Sequence, residues 1–268
     1  MLYLKAIQSV VEKSLWTGWL QKEKPISVLI VANPESFKTE LLKKYRMNDG
    51  VVYMTDVTAY GLTKSIIPMA EMGKKVNHLI IPDLLNPLSK QLTTARAFIQ
   101  FMNAIIEEGA VQVQTYAMQF KQEIQCGLIT AITPSALARR RKYWNDIGFL
   151  SRLVPLSYSY ETGISEDILK SIIKSDYQNE EDTITIQFPK EKMPVEDSPE
   201  LYEQFLVYTH KFSEANKTYG FRYQKQLQVL AKANALSEKR YKVEQRDADW
   251  VKSVAEYINL EYNVIRGD

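Results

Sequence analysis

The sequence is poor in the residues that build covalently braced or metal-braced proteins. Cys126 is the single cysteine of 268 residues, which excludes an intrachain disulfide, and with two histidines, His78 and His210, there are too few ligands for a zinc site. Cys126 reads as a small core residue. An excess of charge of one sign is also missing. The 34 basic and 32 acidic residues leave a formal net charge of +2, so nothing draws the whole chain to nucleic acid or membrane, and any such contact has to be local. Lys5, Glu12 and Lys13 interrupt the N-terminal apolar pattern, which excludes a signal peptide or a membrane span there. A cytoplasmic protein with no membrane partner is the expectation.

What is present is enough apolar content, 45%, for one large α/β domain and a smaller helical one. Leu4, Ile7, Val10, Val11 and Leu15 recur at helical spacing ahead of an apolar run from Ile26 to Val31. Val51 to Met54, His78 to Ile81 and Leu128 to Thr133 are three more such runs, with helical segments between most of them. This alternation predicts a parallel sheet covered on both faces. A long helix is expected from Leu84 to Glu108. An alternating stretch from Val111 to Tyr116 and a polar return from Lys121 to Gln125 read as a β-hairpin inserted before the fourth strand. The domain boundaries fall at 1–175 for the α/β part, 176–197 for an acidic, proline-containing linker with a short strand from Thr183 to Ile186, and 198–268 for an α-helical part.

The stretch from Val28 to Leu42 carries the chemistry. A buried strand runs through Ala32-Asn33-Pro34-Glu35-Ser36-Phe37 into Lys38-Thr39 and a helix, which is the P-loop pattern with Ala32 and Phe37 in the two glycine positions. The loop length and the Lys-Thr pair remain. A phosphate cradle turns backbone N–H groups inward, in part through positive φ, and glycine permits this where Phe37 makes it costly.

Several motifs in one order resemble an AAA+ P-loop ATPase of the minichromosome-maintenance-like and MoxR-like branch, over about residues 26–260. Leu79-Ile80-Ile81-Pro82-Asp83 resembles a Walker B strand. Gly127 to Pro134 is similar to the sensor 1 strand, with Thr133 at the sensor position. Gly148-Phe149-Leu150-Ser151-Arg152 resembles the segment that carries an arginine finger, and Phe221-Arg222 opens a segment similar to the lid helix with the second sensor arginine. The resemblance implies an AAA+ fold with a lid-type domain, and ATP and Mg2+ as cofactors. Lys38, Ser36 and Arg222 would bind nucleotide, Thr39 and Asp83 would hold the metal, and Thr133 and Arg152 would act in catalysis. It further implies a homo-oligomeric ring, with a hexamer as one size, that remodels DNA or a nucleoprotein in the manner of replication proteins of phages and mobile elements.

The departures point to a rival. Leu84 stands where active members have the glutamate that polarises the attacking water, and neither Glu35 nor Glu107 is assigned that work. A nucleotide-inactive member acting as a structural or regulatory interaction protein is therefore the alternative, and a monomeric enzyme of small metabolites ranks third. Plain structural roles are open to each residue as well. Lys38 and Thr39 would simply begin a helix with Ser36 as N-cap, Asp83 would cap the next helix, and Arg152 and Arg222 would sit in surface ion pairs. Arg139-Arg140-Arg141-Lys142, beside Tyr143 and Trp144, fits a solvated or intersubunit face better than a phosphate contact. Tyr202, Phe205, Tyr208 and Phe212 fit a helical core stripe, whereas Tyr116 and Phe120 on the hairpin, with Lys121, are candidates for contact with DNA or a client.

Overall fold

The computed structural model describes residues 4–109, 113–115, 118–120, 124–174, 183–260 and 264–265. Five strands, β1 (Ser27–Val31), β2 (Val51–Tyr53), β3 (His78–Ile81), β6 (Gly127–Ile132) and β7 (Leu153–Ser157), form one all-parallel sheet in the order β2-β3-β6-β1-β7. Strand side chains alternate between faces, and the two cores follow that alternation. Val28, Ile30, Ile80, Ile129, Ala131, Val154 and Leu156 enter one core, while Leu29, Val31, Leu79, Ile81, Leu128, Ile132 and Leu153 enter the other. Burial on both faces is why β1, β3 and β6 read as unbroken apolar runs.

The first core is closed by α1 (Lys5–Thr17), α10 (Phe221–Ser237) and α11 (Gln245–Ala255); the second by α3 (Ala59–Glu71), α5 (Leu92–Glu107) and α6 (Pro134–Asp146). The C-terminal helices α8 (Pro199–Glu203), α9 (Leu206–Asn216), α10 and α11 share their core with α1 and the sheet. Tyr202 and Phe205 are buried in it, with Tyr208 and Phe212 packed against it. Cys126 is fully buried, and burial alone pushes its thiol up to about 12.

Three elements depart from the sequence expectation. The long helix from Leu84 is two: α4 (Leu85–Leu88) ends at Ser89, and Gln91, with ψ 145°, breaks the spiral before α5. Thr183 to Ile186 forms no strand. It is extended chain held by Ile184 N donating to Lys44 O and Ile186 N donating to Asn48 Oδ1, at 2.9 and 2.7 Å. Finally, β7 is a fifth sheet strand that the sequence reading did not count. Pro155 lies within it, which an edge strand tolerates because one side of its backbone needs no ladder bond. The inserted hairpin is present as β4 (Val113–Thr115) against β5 (Met118–Phe120), whereas Tyr116 and Lys121 lie outside the described residues. Among the described residues no helix is long and apolar enough to cross a membrane.

Candidate functional site

All loops that leave a parallel sheet in one direction meet at its C-terminal edge, the usual place for ligands in such folds. Ala32–Phe37 leaves β1 there and leads into the short helix α2 (Lys38–Lys43). Glu35 and Phe37 have φ of 60° and 66°, in the left-handed region that disfavours side chains. Positive φ therefore survives in the loop without glycine, at Glu35 and Phe37 and not at Ala32. Phe37, not Ser36, is the N-cap residue of α2, and Ser36 instead donates its hydroxyl to Asn33 O at 2.6 Å. Tyr158 and Tyr160 brace the loop from outside, both donating to Ser36 O, at 2.7 and 3.0 Å.

Lys38 folds back over this loop. Its ammonium donates to Ala32 O at 2.8 Å, to Ser36 Oγ at 3.0 Å and to Asn33 O, so all three protons have acceptors. Burial draws its pKa below the ordinary lysine value, and the carboxylates of Asp83 and Glu40 act against that shift. Asp83 follows β3, which is separated from β1 by β6 alone. Asp83 Oδ1 accepts from Leu85 N at 2.9 Å, from the position ahead of Leu84, the N-cap residue of α4, which leaves its second oxygen for other work. Leu84 is fully buried, with its N–H donating to Ala131 O. Thr133 follows β6 between these two edges, its hydroxyl 3.4 Å from Ser135 Oγ, and Thr39 is exposed on α2. Lys38, Ser36, Thr39, Asp83 and Thr133 thus share one edge of the sheet.

Arg152 and Arg222 do not join them. Arg152 ends a short 3-10 turn (Leu150–Arg152) immediately before β7, whose first residue pairs with the first residue of β1, so it lies at the opposite edge, one strand length or about 16 Å away. There Arg152 Nε and Arg222 Nε both face Glu107 Oε2, at 3.7 and 3.5 Å, and Lys24 Nζ reaches Glu107 Oε1 at 3.1 Å. Arg222 also donates to Ser151 Oγ at 2.9 Å. Burial would raise the Glu107 carboxyl, but the Lys24 hydrogen bond and the charges of Arg222 and Arg152 outweigh it and hold the pKa below its usual value. Burial and the neighbouring Arg222 lower the pKa of Arg152. Gly148 makes this seat: its carbonyl accepts from Arg152 at 2.5 Å, its φ is +68°, and a Cβ there would lie 2.7 Å from the guanidinium.

Beside the loop, on the side of β7 and α7 (Thr162–Ile173), is a cavity of about 590 Å3 walled by the loop, Tyr158, Tyr160, Ile168, Leu169 and Ile172. Sequence reasoning missed both tyrosines. Their signal was the alternation Tyr158-Ser159-Tyr160 after a strand that Pro155 concealed. It also missed that Glu107 would gather the two arginines. Among the described residues no group of three or more acidic, histidine or cysteine side chains could hold a metal on its own. Comparison of the sequence with protein-family models and with curated proteins finds no match.

Proposed function

We propose that this chain is an AAA+ ATPase-like protein that binds ATP and Mg2+ between copies of itself and remodels DNA or a nucleoprotein. The observation that carries this reading is the placement of Lys38 after β1 and Asp83 after β3, at one end of a parallel sheet with β6 alone between those strands. Mg2+ needs only one or two protein oxygens when phosphates and water complete its shell, so Thr39 and the free oxygen of Asp83 suffice. Lys38 would exchange one loop carbonyl for a phosphate oxygen, and Thr133 would meet the terminal phosphate. The cavity walled by Tyr158, Tyr160 and α7 has a volume suited to a nucleoside. The bound nucleotide supplies a transferable phosphoryl group, whose charge these residues would neutralise.

Arg152 and Arg222, at the far edge, would serve the ligand of a neighbouring copy, which favours a ring. Glu107 holds them until then. With Leu84 buried where a water-orienting carboxylate is needed, turnover is expected to be slow. A nucleotide-inactive interaction protein is the second reading, favoured by the saturation of all three Lys38 donors within its own loop.

Calorimetric titration of Mg-ATP and Mg-ADP into wild type and Lys38→Ala, with light scattering on the same samples, separates the two. Binding that Lys38→Ala abolishes, accompanied by nucleotide-dependent assembly, supports the ATPase reading. No heat from wild type, with an assembly indifferent to nucleotide, establishes the second.

A further inference from the structure

Bordering the Glu107 cluster through Ser151 and Arg222, a groove of about 520 Å3 runs between the end of α6, the turn from α9 to α10 and the start of β7. Its walls include Asn145, Asn216, Tyr219, Phe221 and Arg222. Tyr219 is 86% exposed and Phe221 78%, and their rings lie stacked on each other 5.6 Å apart and 13° from parallel. Gly220 between them has φ +75°, and a Cβ there would lie 2.2 Å from Ser213 Oγ, so the turn that sets both rings out in water admits no other residue. These two are among the most exposed large hydrophobic side chains of the described residues, and keeping their rings hydrated forgoes the hydrophobic gain of burial.

Charge is concentrated at the same place. Residues 139–146 carry four basic side chains and one acidic, Asp146; residues 211–225 again carry four basic and one acidic, Glu214, although Arg222 and Lys225 are ion-paired with Glu107 and Glu23. Against a whole-chain net charge of +2, the remainder of the molecule is net negative, so the positive excess belongs to these two segments. Arg141 ties them together by donating to Asn216 Oδ1 at 3.0 Å. Asn145 lies one helical turn beyond Arg141 and Lys142 on α6, so these two border the groove, while Arg139 and Lys142 are exposed.

We infer that this groove binds single-stranded nucleic acid, with unpaired bases stacking on Tyr219 and Phe221 and the adjacent phosphates lying along α6 and Lys217. Exposed ring faces require bases whose own faces are free, which a duplex does not offer, and a basic border neutralises the backbone between stacked bases. A contact between copies fits less well, since a symmetric pairing of this face would set its basic residues against one another. The inference rests on the nucleic-acid half of the proposed function and names the strand it would engage; it needs no nucleotide site.

Fluorescence anisotropy of labelled oligodeoxythymidine, measured without nucleotide and across a salt series, tests it alongside the same strand in a duplex. Expected are preference for the single strand, at least tenfold weaker binding in Tyr219→Ala with Phe221→Ala, and a shallower salt slope in Arg139→Glu with Lys142→Glu. All four changes are on exposed side chains, and circular dichroism checks that the fold is kept. Affinity unchanged by the aromatic double variant, tighter duplex binding, or a light-scattering mass that falls in that variant while affinity holds would each overturn it, the last marking the face as a contact between copies. Because nucleotide is left out, failure here leaves the calorimetric result standing, and the reverse also holds.

Discussion

Phe37 and Glu35 hold conformations that cost a side-chain-bearing residue about 1–2 kcal/mol each. Phe37 recovers part of this by packing against the core, but Glu35 is exposed and gains no such burial. Glu35→Gly is therefore expected to stabilise the protein by about 0.5 kcal/mol after the entropy of glycine in the unfolded chain is subtracted, a rise in Tm of about 1–2 °C. It also removes a negative charge beside the proposed phosphates, so Mg-ATP should bind more tightly. A lower Tm would mean that the Glu35 side chain holds the loop. His78 offers a second test. It is fully buried, and burial pushes its pKa down to about 3 from an ordinary 6.5, with Nε2 against Ile26 O and Nδ1 without a partner. Between those values the unfolded chain takes up a proton that the native state refuses, so the stability present above pH 6.5 falls as pH falls, by about 2 kcal/mol at pH 5. Urea unfolding at pH 7 and pH 5 should show that difference in wild type and a smaller one in His78→Gln; equal losses in both would mean that His78 takes up its proton in the folded state.

Elements were legible in the sequence where one physical signal dominated. The strands β1, β3 and β6 were, since a sheet covered on both faces leaves an apolar run that tolerates few other readings. β7 was not, because Pro155 and the residues around it read as loop until the strand is known to be an edge. The extended segment at 183–186 was misread as a strand because its apolar alternation is real, but its partners are the carbonyl of Lys44 and the side chain of Asn48, which no local pattern announces. The join of α10 to α11 was equally hidden. Asp247 is fully buried, accepts from Arg240 at 2.5 Å and from Asn234 at 2.7 Å, and closes a capping box with Glu244. Asp247→Ala removes all three interactions at once. With Glu238 left to compensate Arg240 in part, a loss of about 3 kcal/mol is expected from urea unfolding. A loss below about 1 kcal/mol would mean that water replaces the carboxylate.

At the scale of the molecule, order along the chain put all the candidates in one site, whereas the sheet separates them into two clusters. Lys38, Asp83 and Thr133 were legible as candidates, and they follow the adjoining strands β1, β3 and β6. Arg152 and Arg222 were legible as candidates, but not as partners of Glu107 at the opposite edge, since that depends on how α5, α10 and the turn before β7 converge. If those arginines act on a neighbour's nucleotide, Lys38→Ala and Arg152→Ala chains, each without turnover alone, should recover part of it when mixed, because some interfaces then pair an intact lysine with an intact arginine. No recovery in mixed samples would confine the arginines to their own chain.

The strand that carries the lysine loop has another consequence, at the ribosome. β1 is the interior strand whose neighbours are both distant in sequence: Ser27 and its partner Leu128 are 101 residues apart, and β7 comes later still. At about 5–20 residues per second of synthesis, the first strand made waits on the order of ten seconds with both edges bare. A chain with so much of its pairing at long range is expected to fold slowly and to depend on protection of that strand while it emerges.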